Sequence, residues 1–251
     1  MVLPLNLAMM PSEIAAAPQL PARIAWMACH FCACTEGLAD IPESLPEHAM
    51  LILNDRESCA GHSPDLVAQQ LLDTVEKFDC ESVLLDFQRP WDPEADVMAK
   101  VIVQALPCPT AVTESFAGDL SCPVFLAPCA LHRPLTEHFQ PWIDREIWLE
   151  AALCQEKVTV TTNGTTFTPI FPTSQLTGGF YEKRLCCRYR TVVSDDAVTF
   201  TLFDTPESLK EKLQFAASLG VTRAVGLYQE LGTFLTGKSS SCPSIAKSGK
   251  A

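Results

Sequence analysis

The sequence predicts an α/β protein, a TIM-like (β/α)8 barrel with a β-hairpin insertion, and three observations point there. Short aliphatic runs alternate with amphipathic helical stretches along most of the chain, the order that a parallel sheet with crossover helices requires. The length, 251 residues, matches the roughly 250 residues that one such barrel takes. No strand leads directly into a glycine-rich phosphate loop of the GxGxxG or GxxxxGK type. That absence disfavours the alternative, an open doubly wound sheet.

Taken in order, residues 1–22 are apolar and rich in Ala and Pro, with no positive residue ahead of the apolar part. They lack the start of a secretory signal and are expected to form an N-terminal arm. The barrel is expected over residues 23–236, beginning with the run IAWMA at Ile24. A strand follows at His48 to Asp55, and Ser63-Pro64-Asp65 then opens a helix with Val67, Leu71, Val75 and Phe78 on one face. Ser82 to Phe87 is the next strand. Asp92-Pro93-Glu94 opens a second helix through Leu106, with Val97 and Val101 inward.

Further strands are expected at Thr110, Pro123, Ile147, Leu185 (LCCRYR) and Val198 to Phe203. Thr205-Pro206-Glu207 caps a helix carrying Leu209, Leu213, Ala216 and Leu219, Gly220 stops it, and Arg223 to Tyr228 reads as a buried strand. With the run at Val198 this makes an apparent βαβ unit. Nine strands are thus expected where a closed ring takes eight. Val158 to Ile170 alternates around Asn163-Gly164 and predicts a hairpin excursion. Residues 237–251 are small, polar and mildly basic, the composition of a disordered tail.

Composition narrows the partners. The net charge of −12 leaves no basic face for phosphates, so neither nucleic acid nor an anionic membrane is an expected partner. No stretch is apolar for the roughly 18 residues of a membrane span. Twelve cysteines, several inside apolar runs, read as reduced buried thiols of a cytoplasmic protein. Cys29, His30, Cys32, Cys34, Cys59 and His62 could gather near adjacent strand ends. Their spacing lacks a second well-formed pair, so no metal and no cofactor is expected. A Cys–His nucleophile, Cys29 or Cys32 with His30, is the other reading of that group.

In a parallel barrel, chemistry gathers at the carboxyl ends of the strands. The polar residues arriving there are Asn54, Asp55, Asp86, Gln88, Glu114, Glu150 and Glu230, with Trp26 and Tyr228 as flat aromatic faces. Acids, amides and aromatic rings in one mouth suit a sugar, and a pair of carboxyls is what glycosidic cleavage needs.

The segment Ser82-Val83-Leu84-Leu85-Asp86-Phe87-Gln88-Arg89-Pro90 resembles the fourth-strand signature, DxxDxDxE, of the chitinase-like family 18 glycoside hydrolases. The run from Phe203 to Gly232 is similar to that family's last βαβ unit. The resemblance covers about a fifth of the chain. It implies that Asp86 positions a substrate acetamido group, that Tyr228 is the aromatic of the barrel floor, and that Gln88 stands at the general-acid glutamate. Leu84 stands at an earlier aspartate of the motif. Glutamine cannot donate a proton at a useful pKa, so the resemblance implies a pseudoenzyme that binds a glycan or peptidoglycan-like fragment, with hydrolysis impaired or absent. Two alternatives remain: an active glycosidase with Asp86 and Glu114 as its acid pair, or a scaffold that binds a partner protein.

Overall fold

A computed structural model describes residues 3–171 and 176–235. Eight parallel strands close a ring: β1 Leu5–Met9, β2 Ile24–Trp26, β3 Met50–Asn54, β4 Ser82–Asp86, β5 Thr110–Thr113, β6 Val124–Leu126, β7 Ile147–Glu150 and β8 Val221–Leu227. Each pairs with the next, and β8 returns to β1 through Leu5–Ala224 and Asn6–Val225. Closure removes both sheet edges and with them every unpaired row of backbone groups. A two-stranded hairpin, His30–Phe31 with Leu38–Ala39, sits outside the ring beside Asn54.

The helices are α1 Pro11–Ala16, α2 Pro64–Phe78, α3 Pro93–Ala105, α4 Glu114–Ala117, α5 Leu135–Phe139, α6 Pro206–Ser218 and α7 Tyr228–Leu235. The expected caps form: Ser63, Asp92 and Thr205 each accept from a backbone amide of the first turn, with proline next in sequence. On α2, Val67, Leu71 and Val75 are buried as expected. On α3 the buried face is Ala95, Met98, Ala99 and Ile102, and Val97 is exposed. The phase of that helix is set by its packing on α2 and β4, not by its largest aliphatic residues.

Three expectations are corrected. Residues 1–22 are not merely an arm, because Leu5–Met9 hydrogen-bonds to strands on both sides and supplies the eighth ring strand. Conversely, the runs at Leu185 and Val198 leave the ring. Cys187–Val193 and Ala197–Phe203 join Gln155–Thr161, Gly164–Ile170 and Phe180–Glu182 in a separate five-stranded antiparallel sheet inserted between β7 and α6. The expected hairpin is there, with Thr161 opposite Gly164, but the apparent βαβ unit around α6 is not, since its first strand belongs to this second sheet.

The string from Gly232 to Ser239 also carries GxxxxGK spacing. Its first part is the helical α7, where a β-carbon at Gly232 would lie 2.6 Å from the Tyr228 ring. A phosphate cradle needs a loop leaving a strand, and residues 232–235 are helix. The expected tail at 237–251 lies outside the described residues.

Inside the ring, Ala8, Ala25, Met50, Ile52, Leu84, Ala111, Phe125, Trp148 and Val225 form one cluster. Trp148 fills the lower part, capped by the Arg223 guanidinium 4.7 Å above its ring. Below it, Glu81 accepts from Arg23 (2.8 Å), Arg223 (2.6 Å) and Asn6 (3.3 Å), closing the amino-terminal end with charge-assisted bonds. The other end is left open.

Candidate functional site

Strand side chains alternate, so a residue two after an interior one also faces the interior. Beyond Ile52, Leu84, Trp148 and Val225 the rule places Asn54, Asp86, Glu150 and Leu227 at the open end. All four line one cavity of about 700 Å³, which Met10, Met27 and Phe125 also face.

Asp86 and Gln88 lie together as expected. Gln88 Nε2 donates to both Asp86 carboxylate oxygens at 3.2 Å. Burial raises the Asp86 pKa, the Gln88 bond partly offsets that, and the Asp55 charge adds to the rise. Asp55, buried at the cavity wall, accepts from the Gln88 and Arg89 amides, both at 2.8 Å. It therefore shapes the loop after β4. Asn54 donates to the carbonyls of Met27 (3.1 Å) and Cys29 (3.0 Å) and accepts from the Arg56 amide (3.2 Å), tying β3 to the chain leaving β2.

Glu150 ends β7 and faces the same cavity. Its pKa is pushed up to about 7, chiefly by burial, then by the charges of Asp86 and Glu230. Glu230 itself stands back from the cavity on α7, where it accepts from the Leu153 amide.

Besides Glu230, three expected site residues point elsewhere. Trp26 has the opposite phase to Ala25. Its ring packs outside the barrel near Pro11 and Ile14, and its Nε1 donates to the Asp40 carbonyl at 3.1 Å. Tyr228 follows the last residue of β8 and packs into the cluster under α6 and α7, so the inward position belongs to Leu227. Glu114 opens α4, is exposed, does not line the cavity and acts on His138 through its charge. Thr113 is the residue of inward phase there, and its hydroxyl is bound to the Phe87 carbonyl at 2.8 Å. The carboxyl that couples to Asp86 from another strand is Glu150, not Glu114.

Three rim residues, Asp40, Arg56 and Arg89, were missed by sequence reasoning, and His30, read there only with the cysteine group, lines the same cavity. Arg56 and Arg89 follow Asp55 and Gln88 directly, and that adjacency was the available signal. His30 and Asp40 come from the outer hairpin, whose place over the mouth no local pattern reveals.

The cysteine group does not assemble. Cys32 and Cys34 are joined as a disulfide, contrary to the expectation of reduced thiols throughout. Burial pushes the Cys29 thiol up to about 12 and the Cys59 thiol up to about 11. Neither thiol is poised as a thiolate nucleophile or ligand. The His62 ring nitrogens face the Cys59 and Cys32 carbonyls at 3.2 and 3.3 Å. Among the described residues no three His, Cys, Asp or Glu side chains converge as a metal site, and no helix is long and apolar enough to cross a membrane.

No family model and no curated protein sequence matches the chain. Solved structures do. A class V chitinase from Nicotiana tobaccum aligns with a TM-score of 0.61 at 9% identity, over 90% of this chain and 93% of its own. A GH18 chitinase from Cycas revoluta, in complex with (GlcNAc)3, gives 0.57 at 11% identity over 92% and 97%. The spore cortex-lytic enzyme SleL from Bacillus megaterium QM B1551 gives 0.54 at 10% identity over 89% and 70%. The fold is thus the (β/α)8 barrel that these structures share. At these identities the likeness is one of architecture.

Proposed function

We propose that this chain is a glycan-binding barrel of the family 18 type in which the family's own acid step is impaired. The observation that carries the reading is the Gln88 amide bonded to both oxygens of Asp86 inside the cavity. An amide there holds Asp86 in place and offers hydrogen bonds to a sugar, but it supplies no acidic proton. The likeness to structures described as complexes supports the ligand class: one is the Cycas chitinase with (GlcNAc)3, another a glutamate-to-glutamine variant of it with (GlcNAc)4. SleL, described as cortex-lytic, makes a peptidoglycan-like fragment the second candidate. A cytoplasmic setting belongs to the same reading, supported by nine free cysteines among the described residues; the Cys32–Cys34 disulfide counts against it.

Calorimetric titration with N-acetylglucosamine tetramer and with a soluble peptidoglycan fragment tests the reading. Saturable binding of one of them, lost in Asp86→Ala, is the expected result. If neither binds, the reading is wrong. Gln88→Glu restores the missing acid and should raise cleavage of the bound oligomer about 100-fold. No gain would mean that Leu84 or the cleft shape, not the acid, is limiting.

A further inference from the structure

Charge is unevenly distributed around the cavity. Its lining includes the acids Asp86 and Glu150, and the charges acting on them belong to other acids: Asp55 on Asp86, and Asp86 with Glu230 on Glu150. The two arginines of the lining, Arg56 and Arg89, are exposed at the rim. Neither guanidinium has a hydrogen-bond or ion-pair partner among the described residues.

The backbone places these two cations side by side. Asn54 and Asp86 are register partners on β3 and β4, so Arg56 and Arg89 follow adjacent strands on one side of the mouth. Asp55 fixes that placement, because it directly precedes Arg56 and its carboxylate accepts the Arg89 amide at 2.8 Å. The acids of the same loops are engaged elsewhere. Asp40 pairs with His30 at 3.7 Å, Glu57 accepts the Ala33 amide at 2.9 Å, and Asp92 accepts the Ala95 amide at 2.9 Å. Other arginines of the chain are bound by the protein: Arg23 and Arg223 by Glu81, and Arg145 by three carbonyls. The chain has 30 acidic and 18 basic residues, so two neighbouring guanidiniums facing a cavity with no acid on either are not the product of a basic surface. Their N–H forks are left to an incoming anion.

We infer that the glycan taken by this cleft carries a carboxylate, and that Arg56 and Arg89 are the specificity-determining residues that bind it. This assignment rests on the glycan-binding reading and narrows its ligand class. A carboxylate reaches the edge of a pyranose either as a uronate or on an acid-bearing ether such as the lactyl group of a muramyl sugar. The hydroxyl and acetamido groups of the ring then remain for Asp86 and Gln88. A guanidinium meets a carboxylate with two parallel N–H···O bonds, whereas a neutral N-acetylglucosamine oligomer has no anionic group for either arginine. The acids of the lining do not forbid such a ligand. Burial raises the pKa of both Asp86 and Glu150, that of Glu150 to about 7, so the lining is less negative at neutral pH than its count of acids.

Calorimetry at low and at high salt compares three tetrasaccharides. One is the neutral N-acetylglucosamine tetramer, the second a peptide-free tetramer alternating N-acetylglucosamine with N-acetylmuramic acid, the third a tetramer alternating N-acetylglucosamine with glucuronate. At low salt the wild type should bind one of the acidic tetramers about 10-fold tighter than the neutral one, and salt should shrink that preference because exposed pairs are screened. Methyl esterification of the carboxylates should abolish it. Arg56→Gln and Arg89→Gln, each checked by thermal melting, should cut the preference about 3-fold apiece, and the double variant should remove it. The acidic tetramer that gains identifies the carrier of the carboxylate. A neutral tetramer bound as tightly as both acidic ones, or a double variant that keeps the preference, overturns the inference and leaves the glycan-binding reading intact. Binding of none of the three overturns both.

Discussion

Asp55 holds Gln88 by its backbone and not by its side chain: the carboxylate accepts the Gln88 amide at 2.8 Å while the Gln88 side chain turns to Asp86. A buried acid directly after β3 thereby sets the geometry of a loop that leaves β4. Replacing it strands the Gln88 and Arg89 amides. Asp55→Ala should cost about 1–2 kcal/mol in urea unfolding, because the two amides it frees belong to exposed residues and can turn to water. Glycan affinity should fall with it, whereas Asp55→Asn, which keeps one acceptor oxygen, should lose less of both.

A second buried acid stabilises the junction with the inserted sheet. Asp204, directly after the strand Ala197–Phe203, accepts both Lys212 Nζ contacts at 2.7 and 2.8 Å and the Cys154 amide at 3.2 Å. Both side chains are almost wholly buried. Lys212→Ala leaves an uncompensated charge and should cost about 3–5 kcal/mol. Lys212→Met combined with Asp204→Asn should recover much of that loss in the same denaturant melts, because neither partner is then charged.

Glu150 makes stability depend on pH in a stated direction. Its folded pKa, about 7, lies above the ordinary carboxylate value of 4.5. Between those values the folded state binds more protons than the unfolded one. The contribution of Glu150 is therefore full below about pH 4.5 and is lost as pH rises through 7. Glu150→Gln should raise the unfolding free energy at pH 8 by on the order of 2 kcal/mol after allowance for its partial exposure, seen as a higher melting temperature, and leave it unchanged at pH 4.

The aromatic positions separate binding from stability. Trp26→Phe and Tyr228→Ala shrink side chains that pack outside the ring of strands, so both should lower the melting temperature and leave the tetramer Kd unchanged. Leu227 holds the inward place at the end of β8. Leu227→Trp supplies a flat face for a sugar and should tighten binding several-fold, about 1 kcal/mol. Calorimetry on the three variants decides this.

Much of this was legible in the chain. The helix caps at Ser63, Asp92 and Thr205, the strand runs from Ile24 to Glu150, and Asp86 beside Gln88 all follow from local propensity and spacing. The period-2 rule even contained the corrections at Trp26 and Tyr228, for Ala25 and Val225 are the small and branched residues suited to the narrow interior. Assigning the phase required knowing which face was interior.

Local chemistry alone determined the elements and their capping, because propensity, caps and turn geometry act within a few residues. Only the tertiary structure decided which strands close the ring, admitting Leu5–Met9 and dismissing Cys187–Val193 and Ala197–Phe203 to another sheet. It alone brought Glu150, not Glu114, to the cavity that Asp86 lines. Strand pairing and cross-ring encounters join residues far apart in sequence. Their register is chosen by closure and burial of the whole, and no short window of sequence records that choice.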